Sequence, residues 1–580
     1  MSIYRYGIKD LKGCADLGDL ARLLEVQPKF LSKQIYHVDD ADKYHVFPIP
    51  KKNGSLRQIH APNSNLKFIQ SRLSRLLYQC YFDLHGKPKN LSKVLSHGFQ
   101  RDRDLSIFTN ANRHTNKRYV FNADIDNFFP SFNFGRVRGY FIKNEHFKLT
   151  ETVATVIAQT ACFQNSLPQG APSSPIITEF ITQVLDYRLQ SIAKRNRCTY
   201  SRYADDLTFS TNLGEFPSKI GYPFPLPEVW VAGPGLERAI AKSGFKLNEK
   251  KIRMQHAQQR QATTNLTVNQ KVNVGSYYYK GVRLCANAMM RHGAAVRPKK
   301  AIEPGTPLTA NQILGMLAHV HDIKGRELEH KALRKYGKFQ PAPHYLRLMG
   351  DFYHYKRIHI NPRPIVICEG KTDYIYLKEA IRWNVADPRV SSRLVDPVRL
   401  LAPTGKGDQW LIDFLKHTKT ADNFLGLAGG GGDLKNFVNI HLGRIKIFHD
   451  NPLLQPVIIV VDNDSQSTEM WSTIKKASGS TNKIDGSEPF YHVAKNLYVV
   501  PIPSGGKSNF YIEKLFDDSW LKEDLNGRTF KVLQRKDEKL KDTEYGKGEF
   551  ADKVIRANRG KVDCSSFLPL LHTICDIIDK

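Results

Sequence analysis

The chain has 580 residues, 41% hydrophobic and 24% charged, with 86 Lys and Arg against 56 Asp and Glu for a formal net charge of +30. That length calls for several domains, and the composition excludes a disordered or fibrous protein. Eight scattered cysteines without CxxC or Cys/His spacing exclude a zinc ribbon or a disulfide scaffold. They read as reduced thiols of a cytoplasmic protein. The start MSIYRYGIKD has no apolar run of signal-peptide length, and no stretch approaches the ~20 apolar residues of a membrane span. The charge is unevenly placed: residues 1–360 carry +27 and residues 361–580 only +3. A basic excess of that size predicts a polyanionic partner, nucleic acid before membrane, and it belongs to one part of the chain.

In chain order, residues 11–35 space Leu17, Leu20, Leu23, Leu24 and Phe30 for one buried helical face. Asn53-Gly54, between short extended runs in 47–62, predicts a hairpin turn beside Lys51, Lys52 and Arg57. Helical periodicity returns over 66–82. YVFNADI (119–125) reads as a buried strand ending in acid, and TYSRYADDLTFS (199–210) as a strand with two carboxylates at its centre. Helices are predicted over 174–195 and 235–246. Tyr277-Tyr-Tyr-Lys280 and the run from Arg291 through Arg297 to Lys300 mix aromatics with cations, a surface that tracks phosphates and stacks bases. The tyrosines read equally as an edge strand. A last helical region spans roughly 308–356. After Pro364 short apolar strands alternate with helices (IVICEG, YIYLKEAIRW, PVIIVVDND), the pattern of an α/β domain with a parallel sheet.

Asp124 ends one apolar strand, and Asp205-Asp206 interrupt another. Carboxylates in apolar strand sequence are costly unless a cation neutralises them. Mg²⁺ does so with one or two carboxylates plus substrate phosphate oxygens, and a two-metal site aligns an attacking hydroxyl with a leaving pyrophosphate.

Tyr203-Ala-Asp-Asp206 resembles the YxDD box of reverse transcriptases, and four further blocks keep that family's order. They are IPKKNGSLRQIHAP (49–62), the palm block Asp124-Ile-Asp-Asn-Phe-Phe-Pro-Ser131, Leu167-Pro-Gln-Gly-Ala-Pro-Ser-Ser-Pro175, and Leu247-Asn-Glu-Lys-Lys251. His97-Gly98-Phe99 and Asn110-Ala-Asn-Arg-His114 resemble the HGF and NAxxH elements of the retron enzymes. At the position of the retron VTG element Thr264 matches, while Thr263 and Asn265 stand for Val and Gly. The resemblance implies a right-hand α+β polymerase of fingers, palm and thumb over 1–355. Asp124 and Asp205 would hold two Mg²⁺ ions, with Asp206 a weaker ligand. Lys51 and Arg57 would meet the incoming dNTP, Gln169 would position nucleotide and template, and Phe129 would exclude a ribose 2′-hydroxyl. Lys250 or Lys251 would protonate pyrophosphate. Asn110, His114, Thr264 and Arg297 would contact a cognate noncoding RNA, from which the enzyme makes branched RNA-linked DNA (msDNA).

A second set of acids follows the change of pattern. Val366-Ile-Cys-Glu369-Gly-Lys-Thr-Asp373 reads as strand, turn and helix, and Val457-Ile-Ile-Val-Val-Asp462-Asn-Asp464 as a strand ending in DxD. At the carboxyl ends of parallel strands these acids converge in one crevice. They resemble the Toprim domain of topoisomerases, primases and OLD-type nucleases, over 364–515 after a linker at 356–363. Glu513 resembles a later acid of the nuclease-type members. The resemblance implies an α/β Toprim fold, with Mg²⁺ or Mn²⁺ held by Glu369, Asp462, Asp464 and Glu513. It also implies nuclease activity on a nucleic-acid target in antiphage defence. A metal- or partner-binding module without cleavage is the alternative. Ser504-Gly-Gly-Lys-Ser508 and Thr404-Gly-Lys-Gly407 fail as phosphate loops, because Pro501 stands where the first needs Gly and the second lacks a following hydroxyl. Residues 516–580 carry no motif, and self-association is left open.

Overall fold

The computed structural model describes residues 5–50, 56–101, 103–226, 228–297, 305–326, 342–386, 401–402, 409–427, 429, 431–464, 467–507, 509–533 and 538–580. The chain divides into two compact units, Met1–Gly275 and Ser276–Lys580.

The first unit is built on a four-stranded antiparallel sheet ordered Thr199–Tyr203, Asp206–Thr211, Tyr119–Asp124 and Arg253–His256. Helices Ser64–His85, Glu151–Ala161 and Ser174–Arg195 share one core with it through Ile69, Leu73, Ile157, Phe180, Phe121, Leu207 and Phe209. The predicted strand over 199–210 is two strands. Ala204 adopts φ +56°, and Tyr203 pairs directly with Asp206, so Ala204-Asp205 is a two-residue hairpin turn. Residues 11–35 likewise form separate short helices, because Asp16 caps a new helix at Leu17–Leu23 and Pro28 starts another at Pro28–Ser32.

Strands Tyr44–Pro50 and Leu56–Pro62 pair antiparallel from Tyr44↔Pro62 to Pro50↔Leu56. The turn between them, with Lys51 and Asn53-Gly54, lies outside the described residues. This hairpin is tied to the 167–175 segment where the His60 N–H donates to the Gln169 carbonyl at 2.9 Å. Gly170 permits the contact: at φ +131° a Cβ would stand 2.7 Å from the His60 carbonyl oxygen.

The second unit carries a five-stranded sheet ordered Asp413–Phe414, Ile365–Cys368, Val457–Val461, Leu497–Pro501 and Tyr491–Ala494, parallel except for the last strand. This is the α/β pattern expected after Pro364. Its central strands are continuously apolar because both faces are covered. Ile365, Ile367, Val457 and Ile459 point into one core with Leu425, Phe437 and Trp471. Val366, Cys368, Ile458 and Val460 point into another with Tyr376, Phe516, Phe550, Phe567 and Leu571. Residues 516–580, without a motif in sequence, therefore build much of that second face. Arg559 clamps them to the helix Asp373–Ala386 through Nε and Nη2 bonds of 2.7 and 2.8 Å to Glu379.

The expected linker at 356–363 lies inside this unit. Helix His344–His354 is joined to the α/β layer by Arg444 Nε to Asp351 (2.8 Å) and His354 Nε2 to His441 Nδ1 (3.1 Å). Tyr277–Tyr279 fall in the helix Ser276–His292, which corrects the edge-strand reading. Four-residue spacing of Val282, Ala286 and Met290 buries one face of that helix and leaves Tyr277 in solvent. Among the described residues no helix is long and apolar enough to cross a membrane.

Because Phe550 is fully buried against the second sheet face, Phe550→Ala should lower unfolding stability by about 3–5 kcal/mol. Denaturant unfolding of the full chain followed by circular dichroism tests this, and a change below about 1 kcal/mol would detach 516–580 from the core.

Candidate active site

Asp124 and Asp206 are cross-strand partners at the ends of adjacent strands, and Asp205 stands in the turn beside them. The Ile125 N–H donates to the Asp205 carbonyl at 3.0 Å, locking turn and strand end together. From the other side the Asn248 N–H donates to the Asp124 carbonyl at 2.8 Å, so the 247–251 block flanks the acids. Lys251 Nζ then lies 2.8 Å from both carboxylate oxygens of Asp124. Burial works against the Lys251 charge, but the bond to Asp124 outweighs it and raises its pKa. Burial lifts Asp124 and Lys251 opposes the rise. Asp206 still meets solvent at its edge. Even so, the protein packed around it, then the charges of Asp205 and Asp124, push its carboxyl up to about 7.

A cavity of about 670 Å³ opens over these acids, lined by Arg57, Phe129, Gln169, Asp124, Asp205 and Lys251. A neighbouring space of about 850 Å³ is lined by Arg57, Asp124, Asp206, Lys250, Thr264 and Asn265. Thus Arg57, Phe129 and Gln169, distant in sequence, line one cavity with Asp124 and Asp205. Lys251, not Lys250, is the lysine on the carboxylates. The short 3-10 turn Glu249–Lys251 decides between these neighbours, and sequence shows no such preference.

The three aspartates offer hard oxygen donors, and burial, with the charges of Asp205 and Asp124 after it, is what raises Asp206. The donor set fits Mg²⁺ chemically. As the side chains stand, no three Asp, Glu, His or Cys among the described residues are gathered tightly around one point.

The retron-like elements take different roles from those expected. His114 and Asn110 are fully buried. His114 bonds Ser210 through Nδ1 and Ser201 through Nε2, both at 2.7 Å, and Ser201 donates to Asn110 Oδ1 at 2.6 Å. They brace the two strands of the YADD hairpin from behind, which corrects their assignment as RNA contacts. Gly98 lies under the turn itself, where a Cβ would stand 2.6 Å from the Ala204 nitrogen. Thr264 and Asn265 form the tip of the hairpin Ala262–Thr263/Leu266–Thr267, both at positive φ (+48° and +65°). Asn tolerates that region best after Gly, so Asn265 preserves a turn that the expected Gly would make. Arg297 is exposed in the second unit, and Lys51 lies outside the described residues.

In the second unit Glu369 and Asp462 follow adjacent parallel strands, and the Asp462 N–H donates to Glu369 Oε2 at 3.1 Å. The Ile512 N–H donates to Asp462 Oδ1 at 3.0 Å, which brings the Glu513 turn to the same crevice. Asp464 accepts from the Ser467 N–H at 3.2 Å and from its hydroxyl at 3.1 Å. Burial, then the neighbouring Asp464 and Asp373, push Glu369 up to about 7 despite the Asp462 amide. Burial followed by Asp373 and Glu369 holds Asp462 well above the carboxylate range. Sequence reading missed Lys547, whose Nζ is 3.0 Å from Glu513 Oε1. Burial opposes its charge, but Glu513, Asp373 and Asp462 keep it protonated. No spacing signal links a lysine 34 positions after Glu513 to these acids; only the packed C-terminal segment does.

Acidic strand ends, a flanking lysine and a cavity with a guanidinium and an aromatic wall define a nucleic-acid polymerase centre of the reverse-transcriptase class. The family profile described as reverse transcriptase (RNA-dependent DNA polymerase) matches residues 49–279. The retron Ec86 reverse transcriptase of Escherichia coli is 30% identical over 271 residues, 46% of this chain and 76% of that protein. The Mx162 and Mx65 retron reverse transcriptases of Myxococcus xanthus are 31% and 33% identical, over 53% and 39% of this chain and 64% and 51% of theirs. The chain belongs to the retron reverse transcriptase family.

Because Asn265 already occupies a left-handed position, Asn265→Gly should leave the melting temperature within about 2 °C, whereas Asn265→Val should cost about 1–2 kcal/mol. Thermal melts of the two variants check this, and equal melts would remove the conformational argument.

Proposed function

We propose that the chain is an RNA-directed DNA polymerase that copies a cognate retron RNA into branched RNA-linked DNA. The observation that carries this reading is the single cavity lined by Asp124, Asp205, Arg57, Phe129, Gln169 and Lys251. Bound Mg²⁺ would supply the Lewis acidity that activates the primer hydroxyl and stabilises the leaving pyrophosphate. Asp124, Asp205 and Asp206 would hold it. The Arg57 guanidinium offers a donor fork to the triphosphate. The Phe129 ring walls the nucleotide pocket against a 2′-hydroxyl, and Gln169 offers amide groups to the template pair. Lys251 donates to both carboxylate oxygens of Asp124 and places a proton donor on the cavity wall.

For the second unit we propose a Toprim-type, metal-dependent nuclease acting as the effector in antiphage defence. Glu369 and Asp462 at neighbouring parallel strand ends, with Asp373 and Glu513 beside them, support a cation-binding crevice of that kind. A binding module without cleavage would use the same acids.

Asp205→Asn with Asp206→Asn should abolish DNA synthesis, a loss of at least about 10³-fold in primer extension. Surviving synthesis would sink the palm assignment. Glu369→Ala should leave extension unchanged and remove nuclease activity and cell toxicity. Toxicity that persisted unaltered would favour the binding-module alternative.

A further inference from the structure

Beneath the Ala204-Asp205 turn lies a buried ion network that neither the polymerase motifs nor the cavity accounts for. Arg202 is 0% exposed, in a strand otherwise committed to the core. All five of its N–H groups have acceptors. Nε and Nη2 bond the two oxygens of Asp186 at 2.8 Å each, while Nη1 and Nη2 reach Glu179 at 3.0 and 3.4 Å. The remaining Nη1 hydrogen goes to the Ala204 carbonyl at 3.0 Å. Glu179 and Asp186, seven residues apart on the helix Ser174–Arg195, sit two turns apart on one face. Tyr200 donates to Asp186 at 2.8 Å and Gln100 to Glu179 at 3.0 Å, which fixes both carboxylates. The Arg202 backbone is held as well, its N–H by the Leu95 carbonyl and its carbonyl by the His97 N–H, both at 2.8 Å.

We infer that Arg202 is a positioning residue for the polymerase: its guanidinium, clamped by Glu179 and Asp186, holds the Ala204 carbonyl and thereby sets where the Asp205 carboxylate stands. The turn has few anchors. Asp205 is tied by its carbonyl to the Ile125 N–H, and Ala204 sits at positive φ with Gly98 packed beneath it. Releasing the Ala204 carbonyl frees one side of a two-residue turn, and displacements near 1 Å at reacting groups cost about 100-fold in rate. A structural ion pair alone would not need the fifth bond. Lysine keeps the charge but offers three donors from one point, so it cannot reproduce the five bonds of the guanidinium.

The test uses Arg202→Lys in the full chain, extending an annealed DNA primer on an RNA template with varied dNTP and Mg²⁺. The expected result is a folded protein with kcat down about 10- to 100-fold, dNTP KM within about threefold, and half-saturating Mg²⁺ raised severalfold. A merely structural role would lower the melting temperature and leave kcat per folded molecule and the Mg²⁺ requirement alone. Kinetics and Mg²⁺ dependence within about twofold of the parent would overturn the inference. If Arg202→Lys does not fold, the combined Arg202→Met, Glu179→Gln and Asp186→Asn variant removes the buried charges together and is read in the same way. Loss of fold in both assigns the network to stability and overturns the inference. The inference rests on the polymerase reading, and the two fail differently. Synthesis surviving Asp205→Asn with Asp206→Asn removes that reading. Parental kinetics in Arg202→Lys, with the aspartate variant inactive, removes only the role of Arg202.

Discussion

Asp124 and Asp206 face one another across paired strands whose other residues are nearly all buried, and the first unit is arranged around that pairing. Burial raises the proton affinity of both carboxylates, and the charge of the neighbouring Asp205 adds to it. The fold answers with cations and hydrogen bonds from several directions. Lys251 stands on Asp124 from the flanking block. Arg202 holds the turn from the helix side, and His114 with Asn110 braces the strands from behind. Fingers hairpin, helix and flanking block are all brought to one place, and the cavity opens there.

The second unit solves the same problem in a different architecture. Parallel strands deliver Glu369 and Asp462 side by side, and Lys547 arrives from the far end of the chain as the counter-charge. Both centres therefore pair strand-end carboxylates with an ammonium group. In the first the lysine lies in a motif next to the sheet. In the second it is carried by a segment that is in the crevice only because Phe516, Phe550 and Phe567 cover a sheet face.

The legible parts of the sequence were those whose chemistry demands particular residues at particular spacing. The acids Asp124, Asp205 and Asp206 stood out as carboxylates in apolar strand sequence, Arg57 and Gln169 only through the family resemblance, and the change to α/β pattern after Pro364 through its alternating strands and helices. The failures have physical causes. A strand reading of 199–210 passed over a turn because Ala204 carries no turn signal; its left-handed φ is imposed by the pairing of Tyr203 with Asp206. The resemblance to the retron NAxxH element implies RNA contacts at Asn110 and His114, whereas both are buried and their partners Ser201 and Ser210 come from strands some 90 residues away in sequence.

Sequence by itself determined the reverse-transcriptase class, because the YADD box and four further blocks resemble that family together and in its order. It also determined the division of charge, +27 in residues 1–360 and +3 in 361–580. Only tertiary structure decided which neighbours neutralise those acids: Lys251 over Lys250, Arg202 through Glu179 and Asp186, and Lys547 from a segment without a motif. The reason is the range of the forces. Backbone preference and hydrophobic period act within a few residues and are written locally. The partner of a buried charge is fixed by distance in space, which the chain sets only once it has packed.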